Sequence, residues 1–210
     1  WESLRHLDLS MFDVSESYSM GASFANCYSL QSLNLSSFNT SNVEYFRTMF
    51  YNCVNLRSLD VTNFDTSKAV DMQGMFRNCK SLTSLDVSGF NTNAVTDFSS
   101  MFFGCSGLNQ LNVSNFDTSN ATNLYEMFDG LSVENLDVTN FNTSNVVRAD
   151  YLFGNCWNLR EIDVSHFDTS NMEWIGYMFA NCRSLESIDL SAFDISKVAY
   201  LDGLFQNCAR

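Results

Sequence analysis

Phenylalanine sets the frame of this chain. Phe12, Phe38, Phe64, Phe90, Phe116, Phe141, Phe167 and Phe193 follow one another at 26 residues, with one interval of 25. Phe24, Phe50, Phe76, Phe102, Phe128, Phe153, Phe179 and Phe205 keep the same phase, as do Cys27, Cys53, Cys79, Cys105, Cys156, Cys182 and Cys208. Three ladders in one phase over the whole chain mark a repeat array. A lone unit of this size cannot offset the entropy of ordering its backbone, so each copy must bury its apolar side chains against the next. The chain is expected to be a single array over residues 1–210. No polar cap is legible at either end, so the array is expected to continue in both directions.

The pattern inside one unit changes period. Leu85-Asp86-Val87-Ser88 alternates apolar and polar, the period of a strand. Val95, Phe98, Met101 and Phe102 then fall at i, i+3, i+6 and i+7, the stripe of a helix, as do Val43, Phe46, Met49 and Phe50. Asn26, Asn52, Asn78, Gly104, Gly130, Asn155, Asn181 and Asn207 close these stripes. Gly and Asn accept the left-handed conformation found just past a helix end. The expected fold is an α/β repeat solenoid, leucine-rich-repeat-like. It would have about eight 26-residue coils, one parallel β-sheet on one face and short helices on the other.

The segment Cys53-Val54-Asn55-Leu56-Arg57-Ser58-Leu59-Asp60-Val61-Thr62-Asn63-Phe64-Asp65-Thr66-Ser67 carries a longer motif. With its copies from Leu4 to Cys208 it resembles the BspA-like leucine-rich repeat family of surface proteins. The resemblance implies a bacterial cell-surface adhesion module with no conserved catalytic residue.

Several rows invite chemistry. The outward strand positions Asp60, Asp86, Asn112, Asp137, Asp163 and Asp189 form a candidate polar sheet face, flanked by Ser and Thr. Stacked carboxylates repel, so this row must share hydrogen bonds, shift its pKa values upward or bind cations. Shared hydrogen bonds are the expected answer and no cofactor is expected; calcium is the alternative for such a face, although single Asp ligands on a stiff sheet differ from a loop offering six to eight oxygens. The Asp and Asn that follow each Phe read as turn-formers. The threonines Thr40, Thr66, Thr92, Thr118, Thr143 and Thr169 are spaced like an ice-binding row, but Val14 and Ile195 in the same slot suggest half-burial. The seven cysteines lie one per coil, and His6 and His166 match no zinc spacing. A ladder of reduced, buried thiols is expected. The unit around Leu131 is one residue short and lacks its Cys. It is expected to be the weakest joint.

A net charge of −13 argues against nucleic acid as a partner, and no apolar run is long enough to span a membrane. Phosphate loops, nucleophile elbows and zinc motifs are absent from the sequence. A non-enzymatic recognition or adhesion module is therefore expected at the cell surface or outside the cell, binding protein or glycan there. The alternative is a structural spacer or coat element assembling through its ends. Residues that break the repeat concentrate late in the chain. Trp157, Arg160, Glu161, His166, Trp174 and Tyr177 form the candidate binding patch.

Overall fold

The computed structural model describes residues 3–208. The chain winds as a stack of eight coils, numbered here 1 to 8 and beginning at Leu4, Leu30, Leu56, Leu82, Leu108, Val133, Leu159 and Leu185. Strand β1 (His6–Asp8) pairs in parallel with β2 (Ser32–Asn34), His6 opposite Ser32, at the offset of one coil. A second ladder of parallel bridges runs Ser19, Tyr45, Asp71, Asp97, Asn123, Arg148, Trp174 and Tyr200, through all eight coils.

The expected helices are not there. Among the described residues there is no helix, and the only two strands span three residues each. This overturns the α/β, leucine-rich-repeat-like architecture with helices on one face and about eight strands on the other. The closing Asn and Gly residues are all left-handed, with φ between 55° and 77°. A second left-handed row, however, cuts each supposed helix in the middle: Ala22, Thr48, Gly74, Ser100, Glu126, Tyr151, Tyr177 and Gly203, φ 53–59°. A right-handed helix cannot contain such a residue. Each stripe is instead a run of three overlapping tight turns, the first and third with a left-handed residue at the third position as type II turns require.

The backbone bonding of coil 4 shows why this arrangement is stable. Met101, Phe103 and Cys105 donate their N–H to the carbonyl three residues back, at 3.1 Å. The alternate N–H groups of Phe98, Ser100, Phe102 and Gly104 donate to carbonyls of coil 5 at 2.7–3.0 Å. A helix would spend every N–H within itself, whereas these turns spend half of them stitching coil to coil. The apolar stripe is buried all the same, because consecutive turns also return a side chain to the core every three or four residues. Val95, Phe98, Met101 and Phe102 are fully buried.

The sheet stays short for a related reason. Asp8 Oδ1 accepts the Ser10 N–H at 2.9 Å and Asn34 Oδ1 accepts the Ser36 N–H at 3.1 Å, where β1 and β2 stop. Later coils repeat the bond, as in Asp60 to Thr62 and Asp86 to Ser88. These local bonds compete with a backbone ladder for the same donors.

The interior is one continuous core from Met20 to Cys182. Its axis is a column of phenylalanine rings, Phe24 through Phe205, parallel within 15° and 5.5–5.9 Å apart. In the first and last coils the same inward rows are open, as at Phe12 and Phe205. The threonine row is buried, not a surface row. Thr92 Oγ1 donates to the Asp117 carbonyl and accepts the Asp117 N–H.

All seven cysteines are unbridged, five of them buried, while Cys27 and Cys208 are half-buried in the first and last coils, short of the full burial expected. Each thiol from Cys53 onward donates to the carbonyl of a Phe in the preceding coil, as Cys105 does to Phe76 at 3.0 Å. Burial pushes Cys105 up to about 12, so these groups stay protonated donors. Coil 5 carries Leu131 in this slot and lacks one residue between Ser132 and Val133. On the turn side its register with coil 6 is intact, with Phe128 N–H donating to Leu152 O at 3.0 Å and Gly130 N–H to Gly154 O at 2.8 Å. The change is local: the turn that Leu108 N–H closes onto Cys105 O has no counterpart at Val133.

Candidate functional site

The strand face gathers all six of its candidate residues. One shallow depression is lined by Asp137, Asp163 and Asp189, another by Asp60, Asp86 and Asn112. Each side chain is already engaged by its own turn. Asp86 Oδ1 accepts the Ser88 N–H at 2.9 Å and its hydroxyl at 2.6 Å. Such bonds hold Asp60, Asp86, Asp137, Asp163 and Asp189 below the usual carboxylate range, side-chain donation from Ser or Thr being the largest cause. The row thus keeps its charge, and the upward shift that repulsion alone would cause is absent. Among the described residues no group of three or more His, Cys, Asp or Glu is placed to hold a metal ion.

The six residues of the late-chain patch are not on one face. Trp174 and Tyr177 belong to the turn face. Trp157 stands at the corner after it, 56% exposed, with Arg183 over its ring at 5.5 Å. Arg160 and Glu161 lie on the strand side, where Arg160 approaches Glu134 at 3.7 Å and Glu161 bridges Asn135. His166 occupies the corner after the strand, its Nε2 3.1 Å from the Val138 carbonyl. Asn63, Asn115 and Asn140 donate to the preceding coil from the same slot, so His166 continues a structural row.

The turn face is where the repeat breaks down into singular side chains. Arg148 chelates Asp150 through Nε and Nη2 at 3.2 and 3.0 Å, and its guanidinium lies over Tyr125 at 4.6 Å and Trp174 at 5.2 Å. Trp174 stacks on Tyr200 with centroids 3.6 Å apart, and Tyr151 on Tyr177 at 4.7 Å. Farther back, Arg77 of coil 3 reaches across coil 4 to Glu126 of coil 5 at 2.6 Å, while Ser100 donates to the same carboxylate oxygen at 3.0 Å. Arg77 also lies over Phe103 at 3.8 Å. Gly203 leaves space for the Tyr177 ring, into which a Cβ would run.

Burial raises the Tyr125 hydroxyl well above the ordinary phenol range, helped by Glu126. Burial also pushes Asp129 up to about 6, against the bond it accepts from Asn155 Nδ2 at 2.9 Å. Asp129 stands in for the side chain that Gly130 lacks. Elsewhere Asn52, Asn78, Asn181 and Asn207 each donate to the Asn of the coil before.

Sequence reasoning marks Trp174 and Tyr177 of this face but misses Arg77, Glu126, Arg148, Asp150 and Asp129. The available signal is charge in slots that other coils fill with small or uncharged residues, such as Ser100, Gly74 and Gly176. It is lost when those slots are assigned to a helix, which would spread them around its circumference.

No curated protein matches the chain. The family described as "Mycoplasma protein of unknown function, DUF285" matches three overlapping stretches, residues 2–80, 55–161 and 132–210. The chain is a repeat protein, and these matches cover nearly its whole length, so it belongs to that family.

Proposed function

We propose that this chain is a non-enzymatic recognition module, displayed at the cell surface or outside the cell, that grips a protein partner with its turn face over coils 5 to 8. The observation that carries the reading is the gathering of Tyr125, Arg148, Tyr151, Trp174, Tyr177 and Tyr200 on one side of an otherwise repetitive stack. Aromatic residues and arginine dominate the energetics of protein interfaces. The rings stack on one another, Trp174 on Tyr200 and Tyr151 on Tyr177, so few flat faces remain for a sugar. Hydroxyls, ring edges and the Arg148 side chain, held from beneath by the buried Asp150, are what a partner would meet, and these suit polypeptide. The likeness to BspA-like surface proteins supports the location and the adhesive role, as an analogy of sequence.

The test is adhesion of beads coated with the protein to cultured animal cells. Binding is expected to fall about tenfold with Trp174→Ala, to disappear after trypsin treatment of the cells, and to persist with Asp60→Asn/Asp86→Asn. Loss with the strand-face variant and retention with Trp174→Ala would move the site to the strand face. Binding that survives trypsin would remove the protein partner.

A further inference from the structure

The one-residue deletion in coil 5 leaves a hollow on the corner between the turn face and the strand face. Its lining includes Ser106, Gly130, Leu131, Ser132, Trp157 and Asn158. Three departures from the repeat coincide here. The turn that closes at Leu108 is missing at Val133. Leu131 replaces the thiol, beside a Gly130 that, like Gly104 in the coil before, offers no side chain. Trp157 occupies a slot that holds Tyr28 in coil 1 but Val54, Lys80, Ser106 and Ser132 in the four coils before its own. Arg183 of coil 7 lies over the indole but does not line the hollow, which belongs to coils 4 to 6. The indole therefore lies between Arg183 and the hollow that it helps to line.

Two properties select the occupant. No charged side chain lines the hollow, although the chain carries −13. Apolar surface from Trp157, 56% exposed, is rimmed by oxygens still able to accept, while Leu131 beside it is almost fully buried. Ser132 Oγ donates to the Ser106 carbonyl at 2.8 Å and Asn158 Nδ2 to the Ser132 carbonyl at 3.2 Å. Asn158 Oδ1 and Ser106 Oγ take no hydrogen bond from the described residues. An apolar occupant would cover these acceptors without satisfying them, which is costly. A charged occupant would find no counter-charge. An uncharged ring with one C–H face and a rim of hydroxyl donors meets both conditions.

We infer that this hollow is a binding site for a neutral pyranose ring, laid against the indole of Trp157 with its hydroxyls donating to Asn158 Oδ1 and Ser106 Oγ. The site is separate from the turn face, so Trp174→Ala leaves it intact, and failure of either reading leaves the other standing.

Methyl β-D-glucopyranoside, methyl α-D-mannopyranoside and methyl N-acetyl-β-D-glucosaminide, titrated into the isotopically labelled chain, would test it by NMR. At least one sugar is expected to shift the Trp157 indole N–H and the Ser132 and Asn158 amides saturably, without moving the Trp174 indole. Trp157→Ala is expected to weaken the response of those amides about tenfold, the loss of one ring contact. Inserting a glycine between Ser132 and Val133 restores the full-length unit and is expected to abolish the response while the rest of the spectrum stays folded. No saturable shift with any sugar, an undiminished response in the insertion variant, or tighter binding of p-cresol than of every sugar would each overturn the assignment. The last result would make the hollow a pocket for an apolar side chain.

Discussion

The strand face and the turn face of each coil meet the same backbone demand in opposite ways. On the strand face, Asp and Asn side chains take the N–H two residues on, so that this donor is satisfied locally in the paired coils 1 and 2 as in the later ones. On the turn face, left-handed residues turn alternate N–H groups outward, and the next coil's carbonyls receive them. The first solution depends on outward side chains, and those stay uniform from coil to coil. The second depends on backbone conformation, and its outward side chains are released to vary. Sequence freedom and the stitching of the stack therefore coincide on the same face, which is where a repeat protein can acquire singular residues without losing its coil geometry.

This contrast can be tested first at Arg77. Arg77→Met should destabilise the chain by about 2 kcal/mol in chemical denaturation, because Glu126 is left largely buried without its guanidinium partner. A change within experimental error would mean that the turn-face side chains brace nothing and that the backbone stitches the coils alone.

Asp129 gives the next effect, with opposite sign. Its folded pKa of about 6 lies above the unfolded value, so the folded state holds the extra proton. Stability from this group is greatest in acid and falls as pH rises from about 4 through 6. Asp129→Asn should therefore stabilise the chain at pH 7 by on the order of 1 kcal/mol. It should also flatten the profile between pH 4 and 6, as read from melting curves at several pH values. The strand-face aspartates run the other way. Their lowered values help the fold above the usual carboxylate range, and that help is lost as pH falls through them. A wild-type profile rising steadily from pH 4 to 7 would contradict the Asp129 assignment.

The smallest effect belongs to the strand face itself. Asp86→Asn keeps the acceptor for the Ser88 N–H, as Asn112 does naturally for Ser114, and should change stability by less than about 0.5 kcal/mol. A loss like that of Arg77→Met would show that the charge, not the acceptor, holds these corners.

The short coil shows where sequence reading stops. That Leu131 sits in a unit lacking one residue is plain from the spacing of Phe116 and Phe141. That the deficit removes a single turn at Val133, spares the register at Phe128 and Gly130, and opens a hollow under Trp157 depends on how two neighbouring coils close around it. The late-chain patch illustrates the same boundary. Trp157, Trp174 and Tyr177 are recognisable as breaks in the pattern, but their separation around the coil depends on the turns between them.

The sequence alone determined the period, the inward rows, the position of the deletion, and the left-handed residues at Asn26, Asn52 and their equivalents. Each of these is written in residue type at a fixed interval. Only the tertiary structure decided that the second half of each coil is turns and not helix. A spacing of three and four residues returns side chains to the core in both. The deciding left-handed residues at Thr48, Ser100, Glu126, Tyr151 and Tyr177 carry no local preference for that conformation. Their backbone is held by hydrogen bonds to the neighbouring coil, which offset a cost of roughly 1–2 kcal/mol per residue and which no single coil possesses.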